Sequence, residues 1–375
     1  MRILHATTFL QGGAGRVITS LAVAQRAAGH QVSVATDSGG EEGYNSYAEY
    51  LRELADAGIP CHTLTSTFKR DLSLNVRAAC ELGDALAGES IDVVHAHAAV
   101  PALVSRLALT GTRHIPILLT MHGWGVRKTP EQAEMDIRVL GLADAVVVPS
   151  AAARDLLHRL GARSAGVDLI PYGIDPCVPV ADIDVNDRTL FDRLRHGRRR
   201  VAVCIGTIGE RKNQQLLVRA LAHPAAHDVD AVVIGDGDQT SLRDVAAEAG
   251  VAARLHVLGY RENASRYLTF ADALVLPSKN EGLPIAVLEA LRAGTPVVAS
   301  AIPELVEVLE LDDAGELFEP EDSADLACAL ARATAGATEV VRQRARSVFE
   351  ARYTRERMTA AYERVYRRLL KRHPV

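Results

Sequence analysis

"LADAVVVPS" at residues 142–150 recurs further along the chain as "FADALVLPS" at residues 270–278. Each copy reads as a helix end, an Ala-Asp corner, a buried strand and a Pro-Ser exit. A strand that is apolar on both faces has to be covered on both faces, which is the condition of a parallel sheet flanked by helices. Strands of the same kind precede and follow both copies. The first series is "RILHAT" (2–7), "QVSVAT" (31–36), "DVVHAH" (92–97), "PILLTMH" (116–122), "AVVVPS" (145–150) and "DLIPY" (168–172). The second is "RVAVCIG" (200–206), "AVVIGDG" (231–237), "LHVLGY" (255–260), "ALVLPS" (273–278), "PVVAS" (296–300) and "GELFEP" (315–320). Helical stretches alternate with these strands, so right-handed βαβ crossovers build each series into one doubly wound layer.

Two series on one plan, in a chain of 375 residues, predict an α/β protein of two Rossmann-like domains. Each is a doubly wound parallel sheet, and the two face each other across a cleft. The first domain is read over 1–172 and the second over 200–354. Between them, 173–199 is a linker opened by "PYGIDPCVPV" (171–180), rich in proline and glycine. Hydrophobic residues at 48% and charged residues at 24% describe a globular protein. A net charge of −5, from 42 basic and 47 acidic side chains, gives no ground for a general nucleic-acid binder. Five scattered cysteines without CxxC spacing predict free thiols in a reducing cytosol, with neither a disulfide framework nor a zinc site. The amino terminus is too short and interrupted in its apolar residues for a signal peptide, and no run is long enough to span a bilayer. A cytoplasmic protein follows. The basic runs "RLRHGRRR" (193–200) and "RRLLKRH" (367–373) leave a peripheral contact with the inner membrane face open.

Ligands in such sheets bind at the carboxyl ends of the strands, so the loops there carry the function. "TFLQGGAGR" (8–16) brings Gly12, Gly13 and Gly15 to a helix expected to begin near Gly15, a phosphate site or simply a tight turn. His95, His97 and His122 stand at strand ends. Without an acidic ligand nearby they read as hydrogen-bonded cleft residues, no metal is expected, and His122, beside Gly123 and Trp124, is the best placed to touch substrate. "CIGTIGERKNQQLLVRAL" (204–221) sets Arg211 and Lys212 before a helix, where cations suit a diphosphate. "VIGDGD" (233–238) and "VLGYREN" (257–263) offer backbone groups to a nucleotide base. "PSKNEGLPIAVLEALRAGTPVVAS" (277–300) holds Glu281 at a turn and Glu289 inside an apolar helix. Gly282 permits close approach, Pro284 suits a first helical position, and the first-turn amides form a second phosphate cradle. An eight-residue offset turns about 80° and rises roughly 12 Å, so two acids so placed serve opposite ends of one extended ligand, a sugar and a ribose.

These motifs together resemble the retaining glycosyltransferases of the GT-B fold, specifically glycosyltransferase family 4, also described as glycosyl transferases group 1. The resemblance runs nearly end to end: "GGAG", "DVVHAH", "TMHG", "VPSAAARDLL", "LIPYGID", "GERKN", "VIGDG", "FADALVLPS" and "EGLPIAVLEALRAGTPVVAS", the last being the family's E-x7-E signature with its flanks. It implies that Glu289 accepts hydrogen bonds from the donor ribose and that Glu281 contacts the donor sugar near the reacting centre. Backbone amides around Gly282, Leu283 and Ile285 hold the diphosphate with Lys212. Gly13 and Gly15 close over the phosphates, His122 contacts the sugar, and Tyr260 and Arg261 flank the base. The family usually has arginine directly after the strand-end glycine, where this chain has Thr207; Arg211 is the candidate to supply that charge. The implied reaction moves a sugar from a nucleoside-diphosphate donor to an acceptor hydroxyl with retention, needs neither metal nor other cofactor, and uses the departing phosphate to help deprotonate the acceptor. UDP-sugars are the first expectation and GDP-mannose the second. The C-terminal helix (355–372, to the end at 375) is implied to cross back onto the first domain. Acceptor contacts are expected in loops 38–50 and 66–77. The rivals are a nucleotide-sugar epimerase or phosphorolytic enzyme on the same architecture, and a non-catalytic nucleotide-sugar-binding partner protein.

Overall fold

The computed structural model of the chain describes residues 1–37, 46–64, 71–111, 114–125, 128–162, 166–177, 182–310, 314–336 and 338–372. The expected acceptor loops at 38–45 and 66–70, and the linker at 178–181, lie outside the described residues. The chain divides into two compact units, Met1–Gly173 with Arg355–Val375, and Ile174–Thr354.

The first unit holds a seven-stranded parallel sheet of β1 (Arg2–Ala6), β2 (Gln31–Asp37), β3 (Cys61–Leu64), β4 (Val93–Ala96), β5 (Ile117–Thr120), β6 (Ala145–Val148) and β7 (Val167–Leu169), in the order β3-β2-β1-β4-β5-β6-β7. Its helices are α1 (Gly12–Ala27), α2 (Ser46–Asp56), α3 (Leu72–Ala85), α4 (Ala99–Ala108), α5 (Pro130–Leu140) and α6 (Ala151–Arg159). The second unit opens with α7 (Val185–His196). Its six-stranded parallel sheet comprises β8 (Arg200–Ile205), β9 (Val229–Ile234), β10 (Leu255–Gly259), β11 (Ala273–Leu276), β12 (Val297–Ser300) and β13 (Gly315–Phe318), ordered β10-β9-β8-β11-β12-β13. Helices α8 (Gln214–Leu221), α9 (Gln239–Glu248), α10 (Ile285–Ala293), α11 (Pro303–Leu309), α12 (Ser323–Ala335) and α13 (Glu339–Arg352) belong with it, and α14 (Arg355–Arg372) returns to the first unit.

Strands β4, β5, β6, β9, β11 and β12 are buried at every residue, as two-faced cover requires. The repeated Ala-Asp corner has a local cause. Asp144 Oδ2 accepts the Ile117 N–H at 2.7 Å and Asp272 Oδ2 accepts the Val201 N–H at 2.8 Å, so each aspartate closes the first open amide of a neighbouring strand. The Pro-Ser exits diverge. Ser150 caps α6 through the Ala153 N–H at 3.1 Å, whereas Ser278 is buried and six more residues intervene before α10.

The expected strands are present with boundaries moved by a few residues. "DLIPY" is displaced to the short β7, and β3 went unread because it is a four-residue, half-exposed edge strand without an apolar run.

Candidate functional site

Both strand orders reverse direction at one place, between β1 and β4 in the first sheet and between β8 and β11 in the second. The crevice outside the carboxyl ends of strands at such a reversal is where open α/β sheets take ligands.

In the second unit the loops leaving β8 and β11 are tied together at this point. The Lys279 N–H donates to the Arg211 carbonyl at 2.9 Å, and Arg211 Nη1 donates to the Asn280 carbonyl at 3.3 Å. Glu281 lies in the junction, only 8% exposed. Lys212 Nζ stands 2.6 Å from its Oε1 and Arg211 Nη1 stands 3.1 Å from its Oε2. Burial pushes the Glu281 carboxyl up, but the Lys212 and Arg211 charges beside it outweigh burial and hold it below the usual range. The acid is therefore ionised, buried and doubly paired. Lys212 is itself mostly covered, while half of the Arg211 side chain faces solvent. Gln214, which the sequence reading passed over, braces this loop. Its side chain accepts from the Gly209 N–H at 3.1 Å and donates to the Thr207 carbonyl at 3.0 Å. Gly235, in the "VIGDGD" turn, is fixed by crowding, since a Cβ there would fall 2.1 Å from the Gly206 carbonyl oxygen.

Helix α10 starts at Ile285, with Pro284 in extended conformation at the N-cap, one position earlier than the first helical residue expected of it. A proline cap offers no side chain to the first-turn amides, which is the local condition for an anion site beside Glu281. Leu283 and Ile285 are buried and Gly282 is half-buried. Val287, Leu288 and Leu291 are fully buried, yet Glu289 and Ala293, one turn apart on the same face, are half-exposed. The puzzle of an acid within an apolar helix is thereby answered in part: Glu289 occupies the helix's one partly open face.

Tyr260 and Arg261 follow β10 and are both half-buried. The Arg261 guanidinium is committed to Asp187 of α7, at 2.7 Å and 3.2 Å, and the Tyr267 hydroxyl donates to the same carboxylate at 2.6 Å. Any base contact at this loop would fall to Tyr260 or to the backbone. Asp187 had no sequence signal, because it falls within 173–199, read as a linker, where the structure forms α7.

In the first unit, α1 begins at Gly12, three residues before the expected Gly15, because the Ser46 hydroxyl takes the Gly12 N–H at 3.2 Å and closes the turn. Gly13 is exposed in the first turn. Gly15 is buried, and a Cβ on it would meet the Leu10 carbonyl carbon and the Tyr50 ring at 2.7 Å, so its absence of side chain serves packing. At the reversal point itself stand histidines. His5 on β1 lies opposite His95 on β4, and ring nitrogens join in a row: His5 Nδ1 to His97 Nε2 at 2.9 Å, His97 Nδ1 to His122 Nε2 at 2.9 Å, and His122 Nδ1 to the Tyr172 hydroxyl at 2.6 Å. Burial lowers His5 and His122 to about 4 and drives His95 and His97 well below the usual value, with neighbouring rings adding to the effect on these two. Nitrogens of His5, His95 and His97 lie within 4.8 Å of one another. They point at one another, at His122, at hydroxyls or at the Gln25 amide oxygen, however, an arrangement suited to shared protons and not to converging lone pairs on an ion. His5 was missed; its signal was a polar residue within the buried part of β1, otherwise apolar on both faces.

The basic runs are surface features in part. Arg199 and Arg200 pair with Asp230 and Asp228. On α14, Arg364, Arg367, Arg368, Lys371 and Arg372 are exposed, with Arg367 paired to Glu363 and Arg368 to Asp168. Residue 373 lies outside the described residues. Among the described residues no helix is long and apolar enough to cross a membrane.

Residues 186–347 match the family described as Glycosyl transferases group 1, and residues 11–177 match Glycosyltransferase Family 4. The chain is 30% identical over 256 residues to phosphatidyl-myo-inositol mannosyltransferase of Mycolicibacterium smegmatis, covering 65% of this chain and 62% of that protein. It is 30% identical over 303 residues to D-inositol 3-phosphate glycosyltransferase of Geodermatophilus obscurus, covering 72% and 66%. The match spans less than two thirds of either relative's length. In fold it is similar to Anabaena HepE, solved in complex with UDP and glucose, at a TM-score of 0.81 with 19% identity over 98% of this chain and 100% of that one. By these matches the chain belongs to glycosyltransferase family 4, the glycosyl transferases group 1, with the sheet architecture of GT-B enzymes.

Proposed function

We propose that the protein transfers a sugar from a nucleoside-diphosphate sugar to a hydroxyl of a glycan, lipid or small-molecule acceptor, with retention at the anomeric carbon. The observation that carries this reading is the pairing of Glu281 with Lys212 and Arg211 at the strand-order reversal, beside the uncapped start of α10. In the reaction, negative charge grows on the β-phosphate of the departing nucleotide. Lys212 and the amides around Gly282, Leu283 and Ile285 act on that charge, and a preorganised donor set of this kind stabilises it without reorganisation. Glu281 orients the sugar, and Glu289 accepts from the ribose hydroxyls. Arg211, half exposed and paired with Glu281, supplies only part of the charge that Thr207 leaves out. No resident metal is assigned a part, and the departing phosphate helps take the acceptor proton on its own face.

UDP-sugars are the preferred donors, with GDP-mannose second. The first choice draws support from HepE with UDP and glucose, and the second from a relative that is a mannosyltransferase. The exposed cations of α14 support a peripheral contact with an anionic membrane surface. A thermal-shift panel of UDP-, GDP- and ADP-sugars on the purified chain, followed by hydrolysis of any stabilising donor, tests the proposal. Stabilisation and turnover by one nucleotide sugar are expected. Stabilisation by NAD, with no response to any nucleotide sugar, would overturn it.

A further inference from the structure

The buried row of side chains in the first unit has a direction, and Gln25 of α1 gives it. Gln25 Oε1 lies 2.8 Å from His5 Nε2, and Gln25 Nε2 donates to the Tyr366 hydroxyl at 3.1 Å. A carbonyl oxygen only accepts, so His5 carries its proton on Nε2. With a single proton on the ring, His5 Nδ1 accepts, and the nitrogen 2.9 Å away, His97 Nε2, is the donor. The step repeats: His97 Nδ1 accepts from His122 Nε2 at 2.9 Å, and His122 Nδ1 accepts from the Tyr172 hydroxyl at 2.6 Å. On the other side the Tyr366 hydroxyl lies 2.7 Å from His95 Nδ1, His95 Nε2 lies 2.7 Å from Thr120 Oγ1, and Thr120 Oγ1 lies 3.1 Å from the Tyr362 hydroxyl. His5, His95, Gln25, Thr120, Tyr362 and Tyr366 are each 1% exposed or less, so water does not compete for the bonds among them.

We infer that Gln25 sets the tautomer of His122 at a distance, through His5 and His97, holding the His122 proton on Nε2 turned inward while Tyr172 closes Nδ1. Both ring nitrogens are engaged inside the protein. His122 thus shapes its surroundings without giving or taking a proton there, and Gln25, His5 and His97 are positioning residues for it. The functional weight of this rests on the reading of His122 as a donor-sugar contact; the tautomer itself does not. Turning the Gln25 amide over would reverse every donor in the row, and the reversed row has an end ready, because the Tyr172 hydroxyl also lies 3.2 Å from the His122 carbonyl oxygen.

The test is long-range proton–nitrogen NMR on the full chain labelled with 15N-histidine, at pH 7.5. Each signal is assigned by loss in single histidine variants. His5, His97 and His122 are expected to show the Nε2–H pattern together. In Gln25→Met, which keeps the volume and removes the acceptor, the His122 signal is expected to leave that pattern for Nδ1–H. A wild-type His122 that is Nδ1–H, doubly protonated or different in tautomer from His97 overturns the inference, whether or not the variant folds. An unchanged His122 signal in a folded Gln25→Met does the same. Titrating the labelled protein with a stabilising nucleotide sugar separates the two readings, since His122 shifts that ignore the ligand remove the sugar contact and leave the relay intact.

Discussion

The two sheets reverse strand order in the same way and fill the reversal with opposite chemistry. In the second unit, the loops after β8 and β11 gather an ionised carboxylate and two cations within 3.1 Å of it. In the first unit, β1 and β4 gather uncharged imidazoles that hydrogen-bond one another. Topology supplies the crevice in both cases, and the side chains decide whether it carries fixed charge. A diphosphate needs fixed countercharge, whereas a sugar hydroxyl needs only shape and neutral hydrogen-bond partners. The lesson is that a shared fold marks the place of a site and leaves its chemistry to a few loop residues.

Removing the charge from the second unit should have the largest effect. Glu281→Ala deletes the buried acid and leaves Lys212 without its closest partner, so kcat with the best donor is expected to fall roughly 100-fold or more, with a smaller change in donor affinity. A kcat within twofold of the parent would mean that the charged reversal point is not where the sugar reacts.

Acid should separate the units in the other direction. His5 and His122 sit at about 4 in the folded protein against 6.5 as free groups. A depressed folded value means that the unfolded chain binds the extra proton first. The stabilisation is complete above pH 6.5 and is lost as pH falls toward 4, each histidine taken singly giving up about 2 kcal/mol by pH 5. The Glu281 carboxyl is held below 4.5, so its contribution survives until the pH drops under that value. Hydrogen exchange, corrected for intrinsic rates, should therefore show β1 and β4 losing protection between pH 7.5 and 5 while β8 and β11 keep theirs. Equal losses in both sheets would erase the contrast.

A smaller effect is expected at Glu289. Glu289→Ala should weaken nucleotide-sugar binding by about 1–3 kcal/mol through lost charge-assisted hydrogen bonds. Titration calorimetry decides it, and wild-type affinity would remove the ribose role.

How far the sequence carries can be followed along the repeat itself. "LADAVVVPS" and "FADALVLPS" announce two copies of one sheet because burial on both faces leaves an apolar signature, and the aspartate of each corner is visible because it recurs at the same place in both copies. The copies part after serine, where one runs straight into α6 and the other inserts "KNEGLP". That insertion was legible as a site. The pairing of Glu281 with both cations was not, because it depends on two loops seventy residues apart meeting at the reversal. Edge strand β3, half-exposed, leaves too little pattern to read. Gln25 and Tyr366, separated by most of the chain, meet in a buried bond that no spacing rule encodes.

The smallest effect bears on the cation that Thr207 leaves out. Arg211 and Lys212 are neighbours in sequence, but only Lys212 is well covered; the Arg211 side chain is 49% exposed and Lys212 15%. A cation in contact with water is screened and loses much of its hold on a phosphate, while a covered one keeps it. Lys212→Ala should therefore reduce donor affinity about tenfold, near 1.4 kcal/mol, with the loss shrinking as salt is raised. Arg211→Ala should change it by less than about 1 kcal/mol. If the two substitutions weaken binding equally, Arg211 reaches the diphosphate when donor is bound and replaces the missing arginine in full. If Arg211→Ala changes nothing, its part is confined to holding Glu281, and the site works with one cation fewer than its family usually provides.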